Sequence, residues 1–169
     1  MTFLLNITPQ LLGMPGSTQD VLVVPEWSLQ ARCVDKDANS CIFLQQIHDL
    51  AKANVRDKKD ALAAMHRLFI VMKTGQPLEY FYDKKQCHPA HEFVYAGSVN
   101  KIWRIRKNAV RIYFYYAEGK IIYLAAMQTK RKDKLSAAEK TQLESEIKLY
   151  LDARSNKTIE LVVANREDQ

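Results

Sequence analysis

The chain has no run of about 18 or more apolar residues, so none of its segments is expected to cross a bilayer as a helix. Its first residues, Met1 to Leu12, put no Lys or Arg ahead of a short apolar stretch, which argues against a secretory leader. Cysteine is scarce. Cys33, Cys41 and Cys87 are odd in number and widely spaced, so no disulfide framework is implied and a reducing, cytoplasmic setting is the simplest reading. No glycine-rich phosphate loop occurs, since Gly97-Ser98 stands alone, and there is no His-Glu-x-x-His motif. Asp83 and Glu92 show no spacing that marks a carboxylate pair for acid–base work. Cys87-His88-Pro89-Ala90-His91 offers three metal-ligand side chains, with Cys33 or Cys41 as a fourth. No second Cys/His pair stands at zinc-finger spacing, so these are read as loop residues, and no metal and no cofactor are expected.

What is present is a chain of 169 residues, long enough to bury a core, with a hydrophobic fraction of 47% and a charged fraction of 26% that suit a soluble globular fold. The net charge of +6 is concentrated in one place. Ten Lys or Arg lie between Asn100 and Lys134 against only Glu118 and Asp133, so this stretch alone exceeds the basic excess of the whole chain. Such a concentration favours phosphate backbones and other anionic partners, although a solvated basic face gives the same count.

Residues 1–26 read as an N-terminal arm, in which a short apolar piece precedes the linker-like Gly13-Met14-Pro15-Gly16-Ser17 and the β-prone Val21–Val24 is cut by Pro25. From Trp27, alternation of Trp27, Leu29, Ala31 and Cys33 predicts a strand, and Asp35 to Asn39 a polar turn. Two helices follow. Phe43, Leu44, Ile47, Leu50 and Ala51 recur at helical spacing behind Ser40 as a cap, and a second helix starts at Asp57 and stops near Gly75. Its stripe is Ala61, Leu62, Met65, Leu68, Phe69 and Met72, and only Val55 and Arg56 separate the two patterns, which makes them a helical hairpin. Gln76 to Ser98 reads as irregular. Lys101–Lys107, Val110–Tyr116 and Lys120–Met127 then form three strands with short breaks, an antiparallel meander. Ser136-Ala-Ala-Glu139 is a capping box opening a last helix with the stripe Leu143, Ile147, Tyr150 and Leu151. Residues 155–169 form a tail with room for one extra strand.

Period-2 geometry sorts the meander into two faces. Trp103, Ile105, Val110, Ile112 and Phe114 share one, and Arg104, Arg106, Arg111, Tyr113 and Tyr115 share the other, with Lys130-Arg131-Lys132 at its rim. Burying three arginines is costly without partners, so the second face is expected to be exposed. Guanidinium forks grip phosphate and aromatic rings stack on unpaired bases, which suits RNA binding. The same groups suit RNA cleavage, where a 2′-OH loses a proton and a pentavalent phosphate must be stabilised. Composition does not separate a catalytic face from a binding face.

The run Lys101-Ile-Trp-Arg-Ile-Arg-Lys-Asn-Ala-Val-Arg-Ile-Tyr-Phe-Tyr-Tyr, then Ala-Glu-Gly-Lys-Ile-Ile-Tyr-Leu, resembles the phage-derived HigB-like branch of the RelE/ParE toxin superfamily. Trp103, Arg106, Arg111, Ile112, Phe114 and Tyr115 carry the motif, and the order of elements extends the likeness over Trp27 to Tyr150, within a toxin domain of 27–154. The resemblance implies an α+β, RelE-like fold: a small twisted antiparallel sheet with an N-terminal helical hairpin and a C-terminal helix. It implies a toxin of a type II toxin–antitoxin pair that cleaves mRNA on the ribosome, and a cognate antitoxin of helix-turn-helix type. Arg104, Arg106 and Arg111 match the family's basic sheet positions, and Lys130, Arg131 and Lys132 the basic cluster after its last long strand. Arg104, Arg106, Arg111 and Arg131 are expected to be catalytic, and Lys107, Tyr113, Tyr115, Lys130 and Lys132 to bind RNA. The family's Lys-Lys-Thr appears here as Gln128-Thr129-Lys130-Arg131-Lys132, Ala137 falls near the place of a catalytic tyrosine, and no histidine follows His91. A gyrase-directed ParE-like toxin and a non-catalytic binding member are the alternatives. The terminal segments lie outside the resemblance, and covering the site, forming a homo-oligomer and contacting the partner are all open to them.

Overall fold

The computed structural model describes residues 1–15, 26–130 and 134–164. Val21–Val24, Arg131 and Lys132 lie outside the described residues. The strands are β1 (Thr2–Asn6), β2 (Ser28–Cys33), β3 (Cys87–Tyr95), β4 (Ser98–Lys107), β5 (Val110–Ala117), β6 (Ile121–Thr129) and β7 (Ile159–Val162). The helices are α1 (Ile42–Ala53), α2 (Val55–Met72) and α3 (Ala137–Ser155). The class is α+β, but the sheet is neither small nor wholly antiparallel. Seven strands run in the order β3-β4-β5-β6-β2-β1-β7, with β2 parallel to β6 and β7 parallel to β1.

The meander forms as its alternation requires, with β4 and β5 turning through Asn108 at φ 51 and β5 and β6 through Gly119 at φ 81. Two differences enlarge the sheet. Residues 87–95, expected to be irregular, form the edge strand β3, whose register shifts between Pro89 and His91. Proline and a bulge are both tolerated at an edge, where one row of backbone groups has no ladder to complete. The supposed N-terminal arm contributes β1, inserted between β2 and β7, with Leu4 and Leu5 buried on opposite faces.

α1 and α2 cover one face, where Phe43, Ile47, Met65, Leu68 and Phe69 meet Ile105, Ile112, Phe114, Leu124 and Met127. The caps differ from expectation. Ser40 holds the preceding turn, accepting from the Asp35 amide (3.1 Å) and donating to the Asp37 carbonyl (2.6 Å), and Asn54 rather than Asp57 caps α2. Where β6 runs past the end of its pairing with β2, Gln46 Oε1 accepts from the Met127 amide at 2.7 Å. A bulge turns both Ala125 and Ala126 to the other face and so returns Met127 to the core.

α3 covers that other face. Ser136 and Glu139 close the expected capping box. Leu143, Ile147 and Tyr150 pack on Ile102, Tyr113 and Tyr123, the Tyr150 ring stacked 4.5 Å from that of Tyr123. Polar clamps fix the helix on both sides: Glu146 takes a bidentate pair from Arg32 and a bond from Tyr123 Oη, and Glu144 is bonded to His91 and pairs with Lys148. The His91 bond, with Lys148 beside it, holds the Glu144 carboxyl below its ordinary value of 4.5. A carboxylate with a lower pKa folded than unfolded contributes stability above the unfolded value, and that stability is lost as pH falls through the folded one. Thermal melts taken from pH 7 down to pH 3 are therefore expected to fall more steeply below about pH 4.5 for the wild type than for Glu144→Gln. Parallel curves would remove Glu144 from the acid sensitivity.

Candidate nucleic-acid interface

Strand register gathers the arginines at one end of the α3 face. His88, Arg104, Tyr113 and Ala126 form one cross-strand row, and Arg106, Arg111 and Gln128 the next, about 7 Å nearer the Asn108 turn. The alternation in the sequence is therefore realised, but the expected exposure is not. Arg104 is 5% exposed, Arg111 2% and Tyr113 0%. The reason is α3. The helical hairpin already occupies one face, so the apolar stripe of α3 can be buried only on the other.

The buried arginines are engaged by the protein, and none of Arg104, Arg106 and Arg111 is without a partner. Arg111 Nη1 donates to the carbonyls of Asn108 and Val110, tying the β4–β5 turn to its own strand. Arg104 Nη2 lies 2.8 Å from His88 Nε2. A guanidinium only donates, so Nε2 is the acceptor, and the imidazole proton sits on Nδ1, 2.8 Å from the Pro89 carbonyl oxygen. His88 thus turns Nε2 to the arginine and Nδ1 to the Pro89 carbonyl. It was visible in the sequence only as a metal candidate. Its place beside Arg104 depends on β3, the strand that local pattern does not reveal.

The other expected site residues divide. Arg106 is half-buried at the open end of the face, while Lys107 is exposed at the end of β4, paired with Val110 and alternating to the opposite side. Lys130 is not open to a ligand in the same way: its Nζ donates to the Lys134 carbonyl (2.8 Å) and to Glu139 Oε1 (2.7 Å), reinforcing the start of α3, and it lowers the Glu139 pKa. Tyr113 lies under α3. Tyr115 sits four residues beyond Arg111, at the far end of the face, where its Oη donates to Asn100 Oδ1 at 2.7 Å and burial pushes its pKa up. Arg131 and Lys132 lie outside the described residues.

The Cys87–His91 run is split by the sheet. Cys87 is buried on the helical-hairpin face, with its thiol pushed up to about 12 by burial, while His88 and His91 are on the α3 face. Among the described residues no three His, Cys, Asp or Glu side chains come together as a metal site. Cys33 and Cys41 are neighbouring buried free thiols. Among the described residues no helix is long and apolar enough to cross a membrane. What the open end of the face offers chemically is a half-buried cation for phosphate, Arg106, next to an imidazole held by Arg104, with Lys107 exposed at the end of the strand. Comparison of the chain with protein-family models, with curated proteins and with solved structures found no match.

Proposed function

We propose that this chain acts on RNA as a toxin of the RelE/ParE kind, cleaving mRNA on the ribosome and neutralised by a cognate helix-turn-helix antitoxin. The observation that carries the reading is the convergence, in register, of His88, Arg104, Arg106 and Arg111 at one end of one sheet face, with Lys107 beside them. The likeness of the Trp103 to Tyr115 motif supports it.

In this reading the backbone phosphate meets Arg106 and Lys107 first and then competes with His88 for the Arg104 guanidinium. Release of His88 Nε2 lets it take the proton of the 2′-OH as that oxygen attacks phosphorus. The bond from phosphorus to the 5′-oxygen breaks, the leaving oxygen takes a proton from water, and a 2′,3′-cyclic phosphate and a 5′-OH remain. Arginine charge stabilises the pentavalent phosphate between these states. His88 thereby fills the acid–base role for which the sequence has alanine at Ala137, near the family's catalytic tyrosine, and no histidine after His91.

A second reading, a gyrase-directed or non-catalytic binding member, is favoured by the burial of Arg104 and Arg111, which serve the fold as well as any ligand. Induced expression in bacteria separates the two when mRNA 5′ ends and DNA supercoiling are followed in the same cells. New cuts inside translated frames with unchanged supercoiling are expected. Intact mRNA with altered supercoiling would transfer the assignment to gyrase, and no change in either to a binding module. His88→Ala is expected to cut the cleavage rate about 10²-fold, the usual contribution of a general base. Arg106→Ala/Lys107→Ala is expected to weaken RNA retention and flatten its salt dependence, with thermal unfolding nearly unchanged because both side chains reach solvent.

A further inference from the structure

At the other end of the α3 face, about 13 Å along β5 from Arg111, Tyr95, Tyr115, Glu118, Leu151, Arg154 and Ser155 enclose a cleft of about 390 Å³. This is within the roughly 300–1,000 Å³ of small-molecule sites. Both tyrosine hydroxyls are already used, Tyr95 Oη by Asp152 (2.5 Å) and Tyr115 Oη by Asn100 (2.7 Å). Both rings line the cleft with their hydroxyl donors taken up by the protein, which holds them in place. Arg154 uses one donor, Nη1, on Tyr150 Oη at 2.9 Å. Among the described residues it has no ion pair, although it lies close enough to Tyr115 to act on its charge. Gly119 lies against it, a Cβ built there standing in ordinary contact at 3.5 Å from Nη2. Glu118, on the exposed turn, carries no ion pair among the described residues either.

Fixed aromatic rings, a guanidinium with spare donors and an unpaired carboxylate within one cleft match three parts of one ligand class. We propose that this cleft binds a ribonucleotide unit, with the base against the tyrosine rings, the phosphate on Arg154 and the ribose hydroxyls donating to Glu118. The unit is either a free mononucleotide or one nucleotide of an RNA strand. The inference uses none of the residues of the arginine end and stands apart from the reading given to that end.

Calorimetric titration of the full chain with AMP, GMP, CMP and UMP, their 2′-deoxy forms, ribose 5-phosphate and a four-nucleotide RNA tests it. Ribonucleotides are expected to bind, the deoxy forms and ribose 5-phosphate several-fold more weakly. Arg154→Gln is expected to weaken binding at least tenfold, and Glu118→Gln, an exposed change that leaves the fold intact, to erase the preference for ribose. Equal affinity for mononucleotide and tetranucleotide would identify a free nucleotide as the ligand. A tetranucleotide at least tenfold tighter, and equally sensitive to Arg154→Gln, would identify a strand. The Arg106→Ala/Lys107→Ala chain is expected to retain cleft binding, so failure of the RNA-cleavage reading and failure of this one are told apart. Absence of binding by every probe at millimolar concentration, or affinities indifferent to Arg154→Gln and Glu118→Gln, would overturn the proposal.

Discussion

Arg111→Ala is expected to destabilise the fold by roughly 2–4 kcal/mol, the range for breaking a buried charged hydrogen-bond network. For a chain of this size that is a fall in melting temperature of roughly 5–12 °C. The side chain is 2% exposed, and its Nη1 serves two carbonyls of the turn it closes, those of Asn108 and Val110. Alanine removes the donor shared by those two carbonyls and leaves a cavity where the buried side chain stood. Arg111→Met, which keeps most of the volume and loses the donors, is expected to recover part of the loss, the packing share. Arg106→Ala, on the facing strand in the same register but half-buried, is expected to cost less than Arg111→Ala. Urea or thermal unfolding of the three variants measures this directly. An Arg111→Ala chain as stable as Arg106→Ala would mean that the side chain is not built into the fold, and would restore it to the group that meets a ligand. The contrast also governs how function is tested. Loss of growth arrest on changing Arg104 and Arg111 together would report lost structure as readily as lost chemistry, so His88, Arg106 and Lys107 are the informative positions.

The parts of this fold that were legible in the sequence are those written in local period. Trp103 and Ile105 against Arg104 and Arg106 marked the faces of β4, and Ser136 with Glu139 marked the start of α3. The illegible parts have non-local or irregular causes. In β3 the sequence His-Pro-Ala-His interrupts alternation because the strand bulges at an edge, so Cys87 and Phe93 face opposite sides across an even separation that would otherwise place them together. In β1, Leu4 and Leu5 are adjacent and both buried because the strand is covered on both faces, which removes the alternation that marks a half-exposed strand. The parallel pairings of β2 with β6 and of β1 with β7 join segments far apart in the chain and leave no local mark. The candidate site failed to read correctly for an energetic reason. Three arginines on one face looked too costly to bury, yet turn carbonyls and the His88 imidazole supply Arg111 and Arg104 with acceptors at the cost of one hairpin's freedom. The stripe of α3, which was legible, already required a face to cover, and only this one was free.

Removal of residues 1–15 is expected to have a larger effect than any single substitution, abolishing cooperative folding. β1 stands between β2 and β7, so without it β7 has no partner strand and β2 is left as a raw edge. Leu4, Leu5 and Ile7 are 1–2% exposed, and burying each contributes about 2–3 kcal/mol. Their loss together, about 6–9 kcal/mol, matches much of the 5–15 kcal/mol by which domains are usually stable, before either backbone ladder is counted. Far-UV circular dichroism and urea unfolding of the chain from Gly16 onward, beside the full chain, provide the measurement. Full-length Leu4→Ala/Leu5→Ala supplies an intermediate case, expected to fold with a reduced midpoint. A shortened chain that unfolds cooperatively near the wild-type midpoint would make the N-terminal segment the dispensable arm its sequence suggests. It would also make 27–154 a self-sufficient unit, as the likeness to the RelE/ParE toxins implies. Failure to fold, rescued by adding residues 1–15 as a separate peptide, would establish β1 as part of the sheet on which both the arginine end and the tyrosine cleft are built.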